Sequence, residues 1–160
     1  MATRRTASVR RDRVLAAIEI PALGIWLGAL VGFAFISAPA AFRIIAPLDV
    51  ARFSTLIAET LGRLTRWGEV LGGLAFVVIL LRSSAAADRT LDAIRALLVA
   101  GAVAVAYYHQ RVIVQQMRAI PDVTSPAFHA LHARSTQVYG LAVLLVLTAL
   151  VLAAWRGNDA

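Results

Sequence analysis

The chain has 160 residues, of which 60% are hydrophobic and 16% charged, and its formal net charge is +7 at pH 7. Soluble domains contain about 45–50% apolar and about 25% charged residues, so a domain of this length needs a bilayer around its apolar surface. All sixteen basic residues are arginines that flank apolar runs, which favours lipid headgroups over nucleic acid as their partner. Because cysteine is absent, thiol catalysis, disulfides and thiolate metal sites are excluded.

Four apolar segments are long enough to cross a membrane as helices, since about 20 helical residues span the hydrocarbon core. They run from about residue 20 to 38, within 61–81, within 91–114, and from about 136 to 155. Nothing resembles the alternating strands of a membrane barrel. We predict an all-α, four-helix transmembrane bundle that forms one domain over residues 14–156, between an arginine-rich segment 1–13 and a tail 157–160.

The arginines predict the orientation of the bundle. Five of them precede the first apolar segment in MATRRTASVRRDR, and positively charged flanks of membrane helices stay in the cytoplasm. We predict a multi-pass protein of a bacterial inner membrane with both termini in the cytoplasm.

Glycines recur at every fourth position in two of the segments. They are Gly24, Gly28 and Gly32 in the first and Gly68 and Gly72 in the second. Small residues at this spacing let membrane helices approach closely. The pattern predicts packing seams, either within the bundle or between the protomers of a homo-oligomer.

The connection between the first two segments leaves two alternatives open. We expect Pro39 in SAPAAFR to stop the first helix at the membrane surface. Residues 47–66 are amphipathic at helical spacing. They form either a helix on the outer surface or an extension of the second span.

Glu69 is the ionisable residue that the pattern places deepest in the membrane. It lies about 18 Å of helix before Leu81, and an ionisable residue at such depth indicates a functional site. The alternative is a local ion pair with Arg66, one turn away. Glu19, near the inner end of the first span, is expected to reach the interface beside Arg13 without a functional role.

The dipeptide Ser125-Pro126 predicts the start of the fourth helix, with Ser125 as N-cap and proline in the first turn. The segment FHALHARS then forms the first turns of that helix. At about 100° per residue, one face collects Phe128, His132, Ser135 and Tyr139. We expect this face to turn into the bundle, and His129 to lie further round.

Two histidines are candidates for a cofactor site. His109, in YYHQR, ends the third span at the same outer boundary as His132. Two imidazoles from neighbouring membrane helices can hold haem b, and imidazole also binds copper or zinc. However, HExxH is absent, and no carboxylate lies nearby in sequence to orient either ring. Interfacial histidines bound to water or headgroups are the commoner case.

The elements GIWLGALVGFAFISAPAAFR and FHALHARSTQVYGLAVLL carry a family resemblance. From about residue 22 to 152, the chain resembles the small four-helix membrane family related to transmembrane protein 205, whose bacterial members are called a domain of unknown function. The motif positions are Trp26, Leu27, Gly28, Ala38, Pro39, Phe42, Arg43, Phe128, Leu131, His132 and Ser135. Tyr139 stands where many relatives are expected to have asparagine. The resemblance implies a fold, a membrane location and a recurrent polar patch, but no reaction, and the drug-resistance link of the animal relatives is a loose hint of transport.

These observations predict a polar cluster at the outer leaflet that binds a small ligand or a partner protein without catalysis. Its members are Arg43, Arg66, Glu69, His109, His132, Ser135 and Tyr139. One alternative is a haem- or metal-binding redox protein that uses His109 and His132. The other is a small transporter that oligomerises through the seam of Gly24, Gly28 and Gly32.

Overall fold

The computed structural model describes residues 2–83, 89–120 and 122–158, with side chains from residue 10 to residue 155 of these ranges. This part of the chain forms helices and short connections, with no strand among them. The helices are α1 (Ala2–Gly32), α2 (Ala38–Ile44), α3 (Val50–Ser83), α4 (Arg89–Tyr108), α5 (Val114–Arg118) and α6 (Pro126–Asn158). Turns of π-helix, Phe33–Ser37 and His109–Ile113, join α1 to α2 and α4 to α5.

Among the described residues, four helical runs are long and apolar enough to cross a membrane. In chain order these four spans are Arg10–Ile44, Val50–Ser83, Arg89–Arg118 and Pro126–Trp155. The all-α, four-span prediction is confirmed, and the spans indicate a multi-pass membrane protein. Each helix extends beyond the predicted apolar segment because polar and amphipathic residues at its ends continue the helical turns.

The first and third spans each pack against the second and the fourth, which gives a four-helix bundle of consecutive antiparallel spans. Side chains from every span meet in the central core, among them the buried Leu23, Ala75, Val99 and Val146. Trp26 is the largest fully buried side chain of this core. Its position divides the bundle into two ends with different polar groups.

The ring of Trp26 packs against two of the glycines that were predicted to lie in a packing seam, Gly68 and Gly72. A Cβ added at Gly68 would lie 2.5 Å from Trp26 Nε1, and one added at Gly72 would lie 2.6 Å from Val103 Cγ2. Only a residue without a side chain lets the second span approach the first and third so closely. The prediction of a seam within the bundle is confirmed for this pair.

The glycines of the first span have different surroundings. No described atom comes within 4 Å of a Cβ added at Gly24, Gly28 or Gly32. This row therefore does not pack inside the bundle. Of the two predicted uses of the row, contact between protomers is the one that stays a prediction.

The connection between the first two spans decides between the two alternatives for residues 47–66 and corrects the prediction for Pro39. Residues 50–66 extend the second span, because Val50–Ser83 is a single helix of 34 residues. The prediction that Pro39 ends the first helix is wrong, since Pro39 lies inside α2. It occupies the first turn after the π turn, where the missing N–H of proline is tolerated.

Candidate functional site

A cavity of about 930 Å³ lies at the end of the bundle that carries His109 and His132. We call this the histidine end. Four of the predicted site residues line the cavity: His109, His132, Ser135 and Tyr139. The helical face that carries Ser135 and Tyr139 turns toward the cavity, as the angular spacing of the fourth helix predicted.

Three polar side chains in contact with one another or with the backbone form the inner polar edge of this cavity. His109 Nε2 and Ser135 Oγ share a hydrogen bond of 2.7 Å between the third and fourth spans. The ring of Tyr139 meets the His109 ring edge-on at 5.7 Å between centroids. Tyr139 also donates its hydroxyl proton to the carbonyl oxygen of Leu30 at 2.8 Å, which ties the fourth span to the first. Tyr139, at the position where asparagine was expected, thus connects three spans.

Both π turns border the cavity. Phe33 begins one and His109 begins the other, and both residues are buried and line the cavity. Tyr139 lies between them, since its ring centroid is 6.2 Å from that of Phe33 and 5.7 Å from that of His109. A π turn inside an α-helix commonly marks a functional site. The sequence analysis missed both turns, because hydrophobic periodicity does not distinguish one extra residue in a helix.

The two sides of the cavity differ in polarity. The first two spans contribute mainly aromatic and aliphatic side chains, including Phe33, Phe42, Phe53, Ile57 and Leu61. The third and fourth spans and the loop between them contribute most of the polar groups, His109, Arg118, His132, Ser135, Thr136 and Tyr139. The cavity is therefore amphipathic from one wall to the other.

The inner end of the cavity is closed. Behind His109 and Tyr139 lies a void of only about 10 Å³, which Trp26 and Leu30 help to line. That volume is at the lower limit for holding one water molecule. In this conformation, the packed core beyond Trp26 separates the cavity from the other end of the bundle.

The outer edge of the cavity is formed by the start of the fourth span. Ser125 Oγ accepts a hydrogen bond from the Phe128 N–H at 3.2 Å, which confirms the predicted N-cap and the start of the helix at Pro126. His132 is exposed there, with its ring 6.3 Å from that of Phe128. His129 is also exposed but does not line the cavity, in agreement with its predicted position further round the helix.

The loop before this helix is held by its own polar groups. Thr124 donates hydrogen bonds to Asp122 Oδ1 from its hydroxyl at 2.7 Å and from its backbone N–H at 2.8 Å. These two bonds hold the pKa of Asp122 below its usual value. Asp122 is exposed and takes no part in the cavity wall.

Three predicted site residues are not brought to the cavity. Arg43, Arg66 and Glu69 are absent from the described lining, so Glu69 and His132 do not share this pocket. The predicted Arg66–Glu69 ion pair does not form within the described residues. Arg66 Nε instead donates to the Gly62 carbonyl at 3.3 Å, one turn toward the histidine end. A long cationic side chain near a membrane boundary extends toward the surface rather than deeper into the bundle.

The opposite end of the bundle contains a buried ionic network that the sequence analysis missed. Glu19, Arg82, Asp92 and Arg95 are each between 0 and 3% exposed. Arg82 Nη1 donates to Glu19 at 3.1 Å, Arg95 Nη1 donates to Asp92 at 2.9 Å, and Arg95 Nη2 also bonds to Glu19. We call this the ionic end.

The expectation that Glu19 reaches the interface beside Arg13 is wrong. Its carboxylate is fully buried and joins the first span to the second and third. A buried carboxylate is stable only when it is paired and hydrogen-bonded, and two arginines supply both conditions here. The available signal was the presence of Glu19, Arg82 and Arg95 near the same end of three consecutive antiparallel spans.

Comparison with known proteins gives a family but no relative of known structure. No curated protein and no solved structure matches the chain. A family model described as a domain of unknown function (DUF4149) matches residues 22–122. The match includes Trp26, His109 and most of the first three spans, and it ends before Ser135 and Tyr139. The chain therefore belongs to the DUF4149 family of proteins.

Proposed function

We propose that this membrane protein binds a small, largely apolar ligand in the cavity at its histidine end, without catalysing a reaction on it. The observation that carries the proposal is the amphipathic cavity of about 930 Å³. Small-molecule sites typically have volumes of about 300–1,000 Å³ and apolar walls with a few placed polar groups. The hydrogen bond between His109 and Ser135, together with the Tyr139 hydroxyl that donates to the Leu30 carbonyl, supplies such polar groups at the inner edge.

The bond between His109 and Ser135 also has the length of a bond between a catalytic base and its nucleophile. The surroundings of Ser135 favour binding over hydrolysis. Ser135 lies well inside α6, where the backbone N–H groups are used in helical hydrogen bonds. Acyl transfer at a serine relies on donors aimed at the developing oxyanion, and the helical backbone around Ser135 cannot provide them.

We also propose the orientation of the chain in the membrane and its relation to the transmembrane protein 205-like family. The five arginines before the first apolar segment support cytoplasmic termini in a bacterial inner membrane, which would open the cavity to the outer leaflet. The relation to the transmembrane protein 205-like family is proposed on the motif positions of the first and fourth spans, and the four candidate spans of this chain agree with the plan that the resemblance implies. Oligomerisation through Gly24, Gly28 and Gly32 is proposed on the ground that this row does not pack inside the bundle.

A photoreactive, neutral long-chain alcohol tests the binding site in protein reconstituted in lipid nanodiscs. We expect labelling of peptides that line the cavity, and we expect Ala38→Trp to reduce it severalfold because Ala38 lines the cavity. Ala40→Trp is the matched control, since Ala40 is exposed on the same helix and lies outside the lining. Mass spectrometry of the labelled peptides provides the measurement. Equal labelling of the two variants, or labelling spread over the lipid-facing surface, would contradict the proposal.

A haem or metal site is the second candidate function, because His109 and His132 line the same cavity. One observation counts against it, since His109 Nε2 is already hydrogen-bonded to Ser135. The visible spectrum and metal content of the purified protein distinguish the candidates. A haem absorbance band that is lost in His132→Ala would overturn the proposal of an apolar ligand and would identify the cavity as a cofactor site.

A further inference from the structure

We infer that the cavity selects amphiphiles with one anionic head group, of carboxylate or phosphate chemistry, and holds that head beside Arg118. This inference rests on the proposed ligand binding and adds the chemical class of the ligand. The apolar chain would lie along the wall of the first two spans. The head group would then face the polar side formed by the third and fourth spans.

The charge of the lining carries the inference. Among the described lining residues, Arg118 is the only arginine, and the other basic side chains are His109 and His132. The Nε2 atom of His109 already forms a hydrogen bond with Ser135. Arg118 is exposed and forms no ion pair with another described residue. Its guanidinium is therefore available to a carboxylate or phosphate, which it can bind through two parallel hydrogen bonds.

The acidic residues of this half of the bundle leave the cavity without negative charge. Asp49, Glu59, Glu69 and Asp122 all lie outside the described lining. Asp49 is paired with Arg52 at 3.2 Å, and Asp122 accepts the hydrogen bonds from Thr124. A cationic head group would find no countercharge in the lining, whereas an anionic one meets Arg118.

The opposite wall suits a hydrocarbon chain. Phe42 and Phe53 pack edge-on at 5.7 Å between ring centroids, and both line the cavity. Every residue of α2 is exposed or half-buried, so this helix does not close the cavity against the rest of the bundle. A chain entering from the bilayer would exchange lipid contacts for contacts with these rings.

Competition against the photoreactive alcohol tests the class of ligand. The unlabelled competitors are palmitate, hexadecyl phosphate and hexadecanol at equal mole fractions of the nanodisc lipid, at pH 8. We expect at least one anionic competitor to displace the probe at about tenfold lower content than hexadecanol, as one charge-assisted pair would give. Arg118→Gln should abolish this preference, measured within the variant as the ratio of the hexadecanol content to the anionic competitor content that halves the labelling.

Arg111→Gln is the matched control for that variant. Arg111 lies on the same span, is exposed, and contacts the Tyr107 ring at 5.6 Å outside the cavity. We expect it to retain the anion preference. Displacement by palmitate alone or by hexadecyl phosphate alone supports the inference and identifies the head group. Equal displacement by all three competitors overturns the inference but leaves the binding proposal intact, whereas absence of cavity labelling overturns both.

Discussion

The polar groups at the two ends of the bundle differ in their burial and in their pairing. At the ionic end, two arginines and two carboxylates are almost fully buried and form ion pairs with one another across three spans. At the histidine end, His109 and Ser135 form a single pair at the edge of a large cavity, and Arg118 and His132 stay exposed. The comparison teaches that paired, buried charges accompany close packing at one end of this bundle, whereas partly exposed polar groups line a cavity at the other, where we propose that a ligand binds.

The core between the two ends keeps them separate. Trp26 packs against Gly68 and Gly72 and lies between the cavity and the ionic network. A transporter would need a second conformation in which this core opens. The transport alternative therefore requires more rearrangement than ligand binding from one side.

The largest effect on stability is expected from a substitution that removes one carboxylate of the ionic end. Glu19→Gln would leave Arg82 and Arg95 buried with one carboxylate fewer, and loss of one partner of a buried ion pair costs about 3–5 kcal/mol. We expect the free energy of unfolding in mild detergent to fall by about this amount. The probe labelling at the histidine end should persist wherever the variant remains folded.

Glu59→Gln is the control, because Glu59 is exposed on the second span. We expect it to leave the unfolding free energy nearly unchanged. Equal stability of Glu19→Gln and Glu59→Gln would show that the ionic end is hydrated rather than closed, and the contrast between the ends would disappear.

A smaller effect is expected from the core that separates the ends. Gly68→Ala would place a Cβ 2.5 Å from Trp26 Nε1, and overpacking of this kind costs about 1–3 kcal/mol. Gly73→Ala is the control on the same helix, since no described atom lies within 4 Å of its added Cβ. Thermal unfolding measures both variants. Because the clash is with the indole, Trp26→Phe should reduce the cost of Gly68→Ala, and strictly additive effects would argue against the contact.

The smallest effect is expected at the histidine end. Ser135→Ala removes the hydrogen-bond partner of His109 Nε2, yet we expect a loss of only about 1 kcal/mol in unfolding free energy because the adjoining cavity admits water. Ser54→Ala, at an exposed position on the opposite wall, should cost less. A loss as large as that of Glu19→Gln would mean that the histidine end is as closed as the ionic end.

Local patterns in the sequence predicted what depends on local geometry. The length of the apolar segments predicted the four spans, and the dipeptide Ser125-Pro126 predicted the start of the fourth, because both signals act within one helix. The angular position of Ser135 and Tyr139 placed them correctly on the cavity face for the same reason.

Features that depend on distant partners could not be predicted in this way. Glu19 bonds to residues 63 and 76 positions away, and only the packing of three spans reveals that it is buried. Similar depth does not bring the whole predicted cluster to one wall, since Arg43, Arg66 and Glu69 lie outside the described lining of the cavity. Depth along a helix is readable from a sequence, whereas the direction of a side chain around the bundle depends on the neighbouring helices.

The π turn at Phe33–Ser37 makes the shape of the cavity sensitive to the winding of the helix at a single point. Rewinding that turn as regular α-helix, with no residue lost or gained, would rotate the following segment by about 100°. Phe42 would then leave the wall while Trp26 and the core stayed in place. A change in the winding of this one turn would therefore reshape the cavity wall, without any change to the core that holds the four spans together.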